Sequence, residues 1–215
     1  MQLGVKRKKV CLVVCLFVLW IHLFITPVLA DVVASVAWVF DGDTIKLASG
    51  TKVRYAGINS PEIAHEGRPA ESLADEAYLL NRRLTRDRRV RIQVDKEKYD
   101  QYGRLLAYVF LPDGTFVNGV LVEKGLAIVY TTPPNVRYDQ ELLTLQRRAM
   151  RERVGLWASA GPGKEPFYIG NTRSRRFHSP SCHLGRKTGR RNKVIYRNRL
   201  EAFYDGLSPC KKCNP

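Results

Sequence analysis

The sequence contains little cysteine and little histidine, and its acidic residues are far outnumbered by basic ones. Its 215 residues include five cysteines, four histidines, and 20 acidic against 36 basic side chains. It also has no internal repeat and no extended low-complexity tract, which excludes solenoids and other repeat architectures. The cysteines are too few for a disulfide-dense scaffold. The excess of basic residues points instead to a polyanionic partner.

The first 30 residues have the pattern of a secretory signal. Basic residues at 6–9 precede an almost unbroken apolar run from 10 to 30, with Val28 and Ala30 at the positions where small residues mark cleavage. This pattern predicts a signal peptide at 1–30, removed before Asp31, and a secreted or periplasmic protein without stable membrane association. The run is also long enough to span a bilayer, so an uncleaved membrane anchor is the alternative.

The positive charge is concentrated near the carboxyl end. Residues 31–163 hold 19 basic and 17 acidic side chains, whereas residues 164–215 hold 13 basic and 3 acidic ones. A segment so basic favours polyanions, and the predicted partners are DNA and RNA. An anionic membrane surface is the alternative, because basic segments bind both. The sequence indicates no protein partner.

Short apolar or β-branched runs separated by turn residues dominate the chain up to residue 157. They predict short strands with helices inserted between them, which is typical of a small closed barrel rather than a parallel α/β sheet. One helix with an apolar face follows Pro69, and Asn118 is predicted to cap a second helix that ends at Gly125. A third helix is predicted at 138–153, and strands at 32–40, 44–47, 52–58, 89–94, 104–110 and 128–130.

Residues 158–166, ASAGPGKEP, have the composition of a linker. The basic segment beyond it is expected to be too short for a hydrophobic core of its own, and such segments usually need a metal or disulfides to fold. The predicted organisation is a signal at 1–30, a first domain at 31–157, a linker at 158–166 and a small metal-stapled α/β module at 167–215.

The stretch VFDGDTIKL places Asp41 and Asp43 on either side of Gly42, between apolar runs. Asp-Gly in this setting predicts a tight turn, and two carboxylates also suit a cation. If the flanking strands form a hairpin, Asp43 and Asn59 lie at the same end of it. The proline before Glu62 then turns that carboxylate back over the same end.

Two arginines complete this group: Arg54 in the hairpin and Arg104 in the motif DQYGR. The set suits phosphodiester hydrolysis, in which a hard cation orients the phosphate, arginines stabilise the developing charge and a carboxylate positions the water. Each residue alone has a structural explanation, because lone arginines are usually solvated and Glu62 can be a charge at a helix start. His65 is a rival general base, with no second histidine nearby.

The motifs DGDTIKL, VRYAGINSPE, DQYGRLLAYVF and GLAIVYTTPPN, in this order, resemble the staphylococcal (micrococcal) nuclease family, the thermonucleases. The resemblance covers about residues 32–157. It implies a mainly β fold, an OB-fold five-stranded Greek-key barrel with three helices. It also implies a Ca²⁺-dependent endonuclease that cleaves DNA and RNA.

The same resemblance implies a role for each matching position. The implied roles are calcium binding by Asp43, Asn59 and Ser60 (by its backbone carbonyl) with Asp41 beside them, phosphate clamping by Arg54 and Arg104, general base catalysis by Glu62, and nucleotide contact by Tyr102 and Tyr130.

One position departs from the best-known member of the family. Asn59 stands where that member has a second calcium-binding aspartate. An amide carbonyl can still be a calcium ligand, but the site loses one negative charge, and fewer charged ligands predict a weaker affinity for the cation.

Three cysteines remain after removal of the signal, an odd number for a disulfide framework. The pairs His178-x₃-Cys182 and Cys210-x₂-Cys213 predict a structural, tetrahedral Cys₃His zinc site. The alternatives are a Cys210–Cys213 disulfide, and His183 in place of His178 as fourth ligand. This segment also resembles the zinc-binding module of the Ada DNA-repair methyltransferase, with histidine replacing that module's first cysteine.

Together these patterns predict an exported, metal-dependent nuclease whose zinc-stapled basic module holds the nucleic acid. The alternative is a non-catalytic nucleic-acid-binding protein that uses the barrel for DNA uptake or surface retention. Only the combination of Asp43, Arg54, Glu62 and Arg104 separates the two functions.

Overall fold

The computed structural model describes residues 31–65 and 67–215, so the predicted signal peptide lies outside the described residues. No helix within the described ranges is long and apolar enough to cross a membrane. Asp31–Pro215 form one compact unit. The elements before the predicted linker are strands β1 Val32–Val39, β2 Thr44–Leu47, β3 Lys52–Tyr55, β4 Ile58–Asn59, β5 Arg89–Tyr99, β6 Leu105–Phe110 and β7 Ile128–Val129, and helices α1 Ala74–Thr85, α2 Val117–Glu123 and α3 Asp139–Glu152.

Five of these strands close into a barrel in the order β1–β2–β3–β6–β5. All neighbours run antiparallel except β3 and β6, which are parallel. Closure removes the unpaired strand edges that would otherwise promote aggregation. The interior is filled by aliphatic side chains from each strand, among them Val36, Ile45, Val53, Val90 and Val109, all nearly or completely buried. The predicted OB-type barrel with three helices is confirmed.

Two details of the predicted elements are wrong. The expected strand at 52–58 is broken by Gly57, which has φ +77° and lies where a Cβ would come within 2.7 Å of Leu142. Only glycine adopts this conformation without strain in such a space, so the chain turns and β4 pairs with β7 instead. Asn118 does not cap α2, since the residue at that position is Phe116.

Asn118 is fully buried and connects the helix to the barrel. Its Oδ1 accepts a hydrogen bond from the Val109 amide at 3.0 Å, and its Nδ2 donates to the Ala56 carbonyl at 2.9 Å. The cost of burying an amide side chain is offset only when its polar groups form hydrogen bonds, and here two backbone groups provide them.

The segment after the predicted linker contains its own sheet and a small core. Its elements are β8 Tyr168–Asn171, β9 Arg176–His178, α4 His183–Arg186, β10 Lys193–Tyr196, α5 Arg199–Tyr204 and β11 Ser208–Pro209, with sheet order β10–β8–β9–β11. The expectation that this segment lacks a hydrophobic core is wrong. Its apolar cluster consists of Tyr168, Phe177, Tyr196, Ala202 and Leu207.

Helix α3 joins the barrel to this carboxyl-terminal segment. The Gln146 side chain is fully buried, accepts from the Val129 amide at 2.7 Å and donates to the Phe203 carbonyl at 2.7 Å. Arg147 Nε donates to the Tyr204 carbonyl at 2.7 Å. Residues 158–166 contain no helix or strand. They are nevertheless held near their middle, where Arg199 donates to the Gly161 and Pro162 carbonyls at 3.0 and 2.9 Å.

Candidate active site and Cys/His cluster

The Asp41–Asp43 loop follows β1 and packs against helix α1. The Asp43 amide donates to Asp41 Oδ1 at 2.9 Å, and Asn81 Nδ2 donates to the Asp41 carbonyl at 2.9 Å. A Cβ on Gly42 would lie 2.7 Å from both the Ala77 and Ser60 Cβ atoms. Glycine is therefore required here by close approach of the helix and the Ser60 segment. Sequence reasoning attributed it to turn conformation.

Asp43 is 4% exposed and lies at the centre of the polar group at the barrel mouth. Its Oδ2 accepts from the Ser60 amide at 2.7 Å and forms an ion pair with Arg54 Nη1 at 2.9 Å. Thr44 Oγ1 donates to Oδ1 at 3.2 Å. These contacts fix the carboxylate, and they bring together Asp43, Arg54 and Ser60 as the sequence predicted.

Asp41 has a pKa raised to about 7, because its carboxyl group is buried and lies beside the negative charge of Asp43. Arg54 opposes this shift, and Glu62 adds to it, which places the Glu62 carboxylate within electrostatic reach of the loop. A carboxyl group held in a loop beside a second carboxylate is well suited to a cation, which would favour its ionised form.

Arg54 is locked by the turn that follows β3. Its Nη1 donates to the Tyr55 and Ile58 carbonyls at 2.9 and 3.1 Å, and its Nη2 donates to Asn59 Oδ1 at 3.0 Å. Asn59 in turn donates to the Ser60 carbonyl at 3.2 Å. The predicted ligand oxygens of Asn59 and Ser60 thus lie next to each other, beside Arg54.

Glu62 is exposed, and the loop that carries it is held by backbone and side-chain bonds to Glu71. The Glu62 amide donates to Glu71 Oε2 at 3.0 Å, and the Glu71 amide donates to the Glu62 carbonyl at 2.9 Å. Sequence reasoning missed Glu71, which lies nine residues away without a recognisable motif. His65 is exposed and its backbone pairs with that of Arg68.

Arg104 is aimed by Asp100, a residue of the DQYGR motif to which the sequence reasoning gave no role. Arg104 Nε donates to Asp100 Oδ2 at 2.7 Å, while the Tyr102 and Arg104 amides both donate to Oδ1 at 2.9 Å. Burial alone would raise the pKa of Asp100, but these hydrogen bonds outweigh it and the pKa is lowered. The carboxylate stays charged and holds one edge of the guanidinium.

A cleft of about 420 Å³ brings four of the predicted site residues together. Arg54, Arg104, Tyr102 and Tyr130 line it, although they come from β3, the loop before β6 and the end of β7. Asp41, Asp43, Asn59, Ser60 and Glu62 are not among the lining residues. Asp43 and Asn59 connect to the cleft through their contacts with Arg54.

The sequence of the barrel is similar to known nucleases. Residues 52–159 match the family described as staphylococcal nuclease homologues. The chain belongs to this nuclease family. The thermonuclease of Staphylococcus intermedius is 34% identical over 122 residues, 55% of this chain and 72% of that protein. An endonuclease of Bacillus subtilis, YncB, is 32% identical over 126 residues, 56% and 59% of the two chains. An Escherichia coli protein described as an uncharacterized endonuclease is 33% identical over 147 residues, 66% and 88%.

The nuclease-family match ends at residue 159, and the Cys/His cluster lies beyond it. One potential ligand atom from each of His178, Cys182, Cys210 and Cys213 lies within 4.8 Å of all the others. All three cysteines among the described residues are free, so the Cys210–Cys213 disulfide is not formed, and His183 is an exposed residue outside the cluster.

Three elements assemble this cluster around β9. His178 ends β9, and Cys210 follows β11, whose parallel pairing with β9 is extended by a bond from the Cys210 amide to the Phe177 carbonyl at 2.9 Å. Cys182 precedes α4, where a Cβ on Gly185 would lie 2.7 Å from the Cβ of His178. Glycine at this position therefore lets α4 pack onto the histidine.

The protonation of the cluster suits a metal. Burial, aided by the charge of Arg176, lowers the pKa of His178 and favours the neutral imidazole that metals bind. Burial alone would raise the pKa of Cys182, but amide hydrogen bonds from Gly185 and Leu184 outweigh it and the pKa is lowered, which favours the thiolate. Burial raises the pKa of Cys213 to about 11. The pKa values of Cys182 and Cys213 are thus shifted in opposite directions, and a cation between them would favour the thiolate of both.

Proposed function

We propose that this chain is an exported endonuclease that hydrolyses phosphodiester bonds of DNA and RNA without sequence specificity and depends on Ca²⁺. The observation that carries the proposal is the cleft that contains both Arg54 and Arg104, with Asp43 ion-paired to Arg54 at 2.9 Å. Two fixed guanidiniums beside a buried carboxylate suit a phosphate that gains negative charge in the transition state. The names of the similar proteins support the same activity.

The oxygen atoms at the barrel mouth fit calcium. Asp43, Asp41, the Asn59 amide and the Ser60 carbonyl offer only hard oxygen donors. Burial and the neighbouring charge of Asp43 raise the pKa of Asp41, and a cation beside them would favour its ionised form. Asp43, Asn59 and Ser60 would hold the cation, with Asp41 beside them. When bound, the cation supplies charge neutralisation and orientation of the phosphate.

The remaining steps belong to the chain's own side chains. Arg54 and Arg104 bind the non-bridging oxygens of the phosphate. Glu62 accepts a proton from a water molecule as that water attacks phosphorus in line with the leaving oxygen, so that the new P–O bond forms as the old one breaks. Tyr102 is 74% exposed and lies beside Arg104, with the guanidinium carbon 5.5 Å from its ring centroid, a position from which it can contact the nucleotide.

The Cys/His cluster is proposed to hold a structural zinc ion. His178, Cys182, Cys210 and Cys213 supply four ligands and leave no open coordination position, which is typical of structural sites. The zinc would stabilise the basic segment, whose arginines and lysines bind phosphates without reading sequence. Its likeness to the Ada zinc module remains a prediction, as does export to the periplasm or the medium through the signal at 1–30.

A zymogram on DNA and on RNA, with and without added Ca²⁺, tests the nuclease proposal. Glu62→Gln and Arg104→Ala are expected to lower the rate of cleavage by about 10²–10³. Glu141→Gln and Arg151→Ala, two exposed positions on α3, are matched controls that should clear the gel like the parent. Equal clearing by all variants would refute the assigned roles. A parent without activity at any Ca²⁺ concentration would favour the non-catalytic binding protein.

A further inference from the structure

Two cationic side chains of the carboxyl-terminal segment enter the cleft of the barrel. Arg176 begins β9, and Lys211 directly follows the cluster residue Cys210. Both line the same cleft as Arg54 and Arg104. The basic segment therefore contributes to the cavity in which the proposed reaction takes place, in addition to any binding surface elsewhere.

Arg176 is anchored on the barrel and covers the ring of Tyr130. Its guanidinium carbon lies 3.6 Å from the Tyr130 ring centroid. Its Nη1 donates to the Thr131 carbonyl at 2.8 Å, and its Nη2 lies 3.3 Å from Thr132 Oγ1. A guanidinium held at both the ring face and the neighbouring backbone is preorganised, so little entropy is lost when it binds an anion.

Lys211 adds a second positive charge at the same ring. Its Nζ lies 5.4 Å from the Tyr130 centroid, and the residue is exposed. Lys211 and Arg176 are held together by the chain, because Cys210 and Phe177 are joined by a backbone hydrogen bond at 2.9 Å. The pair thus forms a positive patch on the side of the cleft built by the carboxyl-terminal segment, with the guanidinium of Arg176 anchored and the backbone of Lys211 held beside it.

The cleft is lined by four cationic side chains, of which Arg54 is ion-paired with Asp43. Its acidic lining residues are Glu97 and Asp100, and the Asp100 carboxylate is already bound to Arg104. Arg54 and Arg104 suffice to clamp a single phosphate group. Arg176 and Lys211 are then available to a second phosphate of the same strand.

We propose that Arg176, stacked on Tyr130, and Lys211 near the same ring form a subsite for the phosphate that flanks the scissile one. The proposal rests on the nuclease function above and adds the site for a neighbouring nucleotide. The guanidinium of Arg176 covers a face of the Tyr130 ring on which a base could otherwise stack. This position therefore binds the backbone phosphate rather than a base. Such a contact requires a substrate with at least two phosphodiesters and reads no sequence.

Binding of short thymidine oligonucleotides tests the subsite. In a Glu62→Gln background, in which cleavage is expected to be about 10²–10³-fold slower, fluorescence anisotropy without added Ca²⁺ compares the Kd of a labelled dinucleotide, with one phosphodiester, and a trinucleotide, with two. The parent is expected to bind the trinucleotide about 10- to 100-fold more tightly, as charge-assisted hydrogen bonds to a phosphate provide. In Arg176→Ala/Lys211→Ala this ratio should fall to about 2, the value set by the number of binding positions alone.

Matched controls separate this subsite from general positive charge. Arg173→Ala/Lys212→Ala removes two exposed cations from the same segments that do not line the cleft, and should keep the ratio of the parent. Lys211→Ala alone changes an exposed side chain without packing in the core, and should give an intermediate ratio. For the double cleft variant, the slope of log K against log salt measured on a longer strand should become shallower by about 1.4.

The outcomes distinguish this proposal from the nuclease function. If the parent cleaves DNA but the Arg176/Lys211 variant keeps the full ratio, the subsite is refuted and the nuclease function stands. If nothing cleaves but the ratio falls in that variant alone, the subsite stands as part of a binding protein. An equal fall in the control variant would also refute the subsite.

Discussion

At the mouth of the barrel, the predicted calcium ligands already have partners within the protein. Asp43 accepts hydrogen bonds from Ser60 and pairs with Arg54, and Asn59 also accepts from Arg54. In the carboxyl-terminal segment, the four ligands of the Cys/His cluster face one another, with His178 Nδ1 only 3.4 Å from Cys182 Sγ. The first site can persist in a folded barrel without a cation. The second gathers sulfur atoms that repel each other once ionised.

The apolar core around the barrel site is also larger than the core beside the Cys/His cluster. The barrel core contains many buried aliphatic residues from all five strands, whereas the apolar cluster of the carboxyl-terminal segment has five buried members. Burial of apolar area supplies most of the stability of a domain. Its contribution to the free energy of unfolding is therefore large for the barrel and small for the carboxyl-terminal segment. We therefore expect loss of a ligand to unfold the segment but not the barrel.

The largest effect is expected from Cys182→Ser, which removes one thiolate from the cluster. Structural zinc contributes about 10–16 kcal/mol of apparent binding free energy in small zinc-binding peptides, and much of this free energy drives folding. Zinc measured by atomic absorption should fall from one equivalent to near zero. Amide hydrogen exchange should become fast across β8–β10 and stay slow in β1–β6.

Ser181→Ala is the control, because it changes the exposed neighbouring residue and leaves the ligands intact. It should retain zinc and slow exchange. A Cys182→Ser protein with unchanged protection in β8–β10 would mean that docking on α3, through Gln146 and Arg147, holds the segment without the metal.

Gly42→Ala should have the next largest effect, and it acts on the barrel site. The new Cβ would meet the Cβ atoms of Ala77 and Ser60 at 2.7 Å, and overpacking of this kind costs about 1–3 kcal/mol of unfolding free energy. Urea denaturation measures the loss. Gly161→Ala is the matched control, since nothing lies within 4 Å of its Cβ position. If both variants were equally stable, helix α1 would have room to retreat and the loop would not be tightly packed.

The sequence was sufficient for the barrel because its signals are local. Alternating apolar strands and turn residues determine where β1, β2 and β6 lie, and the motifs around Asp43 and Arg104 indicate which residues meet. Contacts between residues far apart in the sequence could not be predicted from these local patterns. The bond from Asn118 to Ala56 joins residues 62 positions apart, and nothing in the local pattern distinguishes it from a helix cap.

The same limit applies to the basic segment. Its composition predicts affinity for phosphate, but all of its arginines are alike in sequence. Only the pairing of β9 with β11 and the docking on α3 bring Arg176 to the ring of Tyr130. The roles of Asp100 and Glu71 were missed for a related reason, since each acts by orienting another residue through a hydrogen bond.

The smallest effect is expected from Asn59→Asp, which sharpens the comparison by adding charge to the barrel site alone. Asn59 Oδ1 accepts from Arg54 Nη2 at 3.0 Å, and a carboxylate keeps that bond. It replaces the Nδ2 donor to the Ser60 carbonyl by a second oxygen, which adds a negative charge next to that carbonyl for a cation to bind. Because calcium affinity rises with the number of charged ligands, titration calorimetry should show a Kd about tenfold lower, a gain of about 1.4 kcal/mol in binding free energy.

Gln140→Glu is the control, because it adds the same charge at an exposed position on α3 and should leave the Kd unchanged. Zinc content should be the same in all three proteins. If Asn59→Asp left calcium binding unchanged while Asp43→Asn abolished it, Asp43 would be a calcium ligand and residue 59 would serve only to hold Arg54.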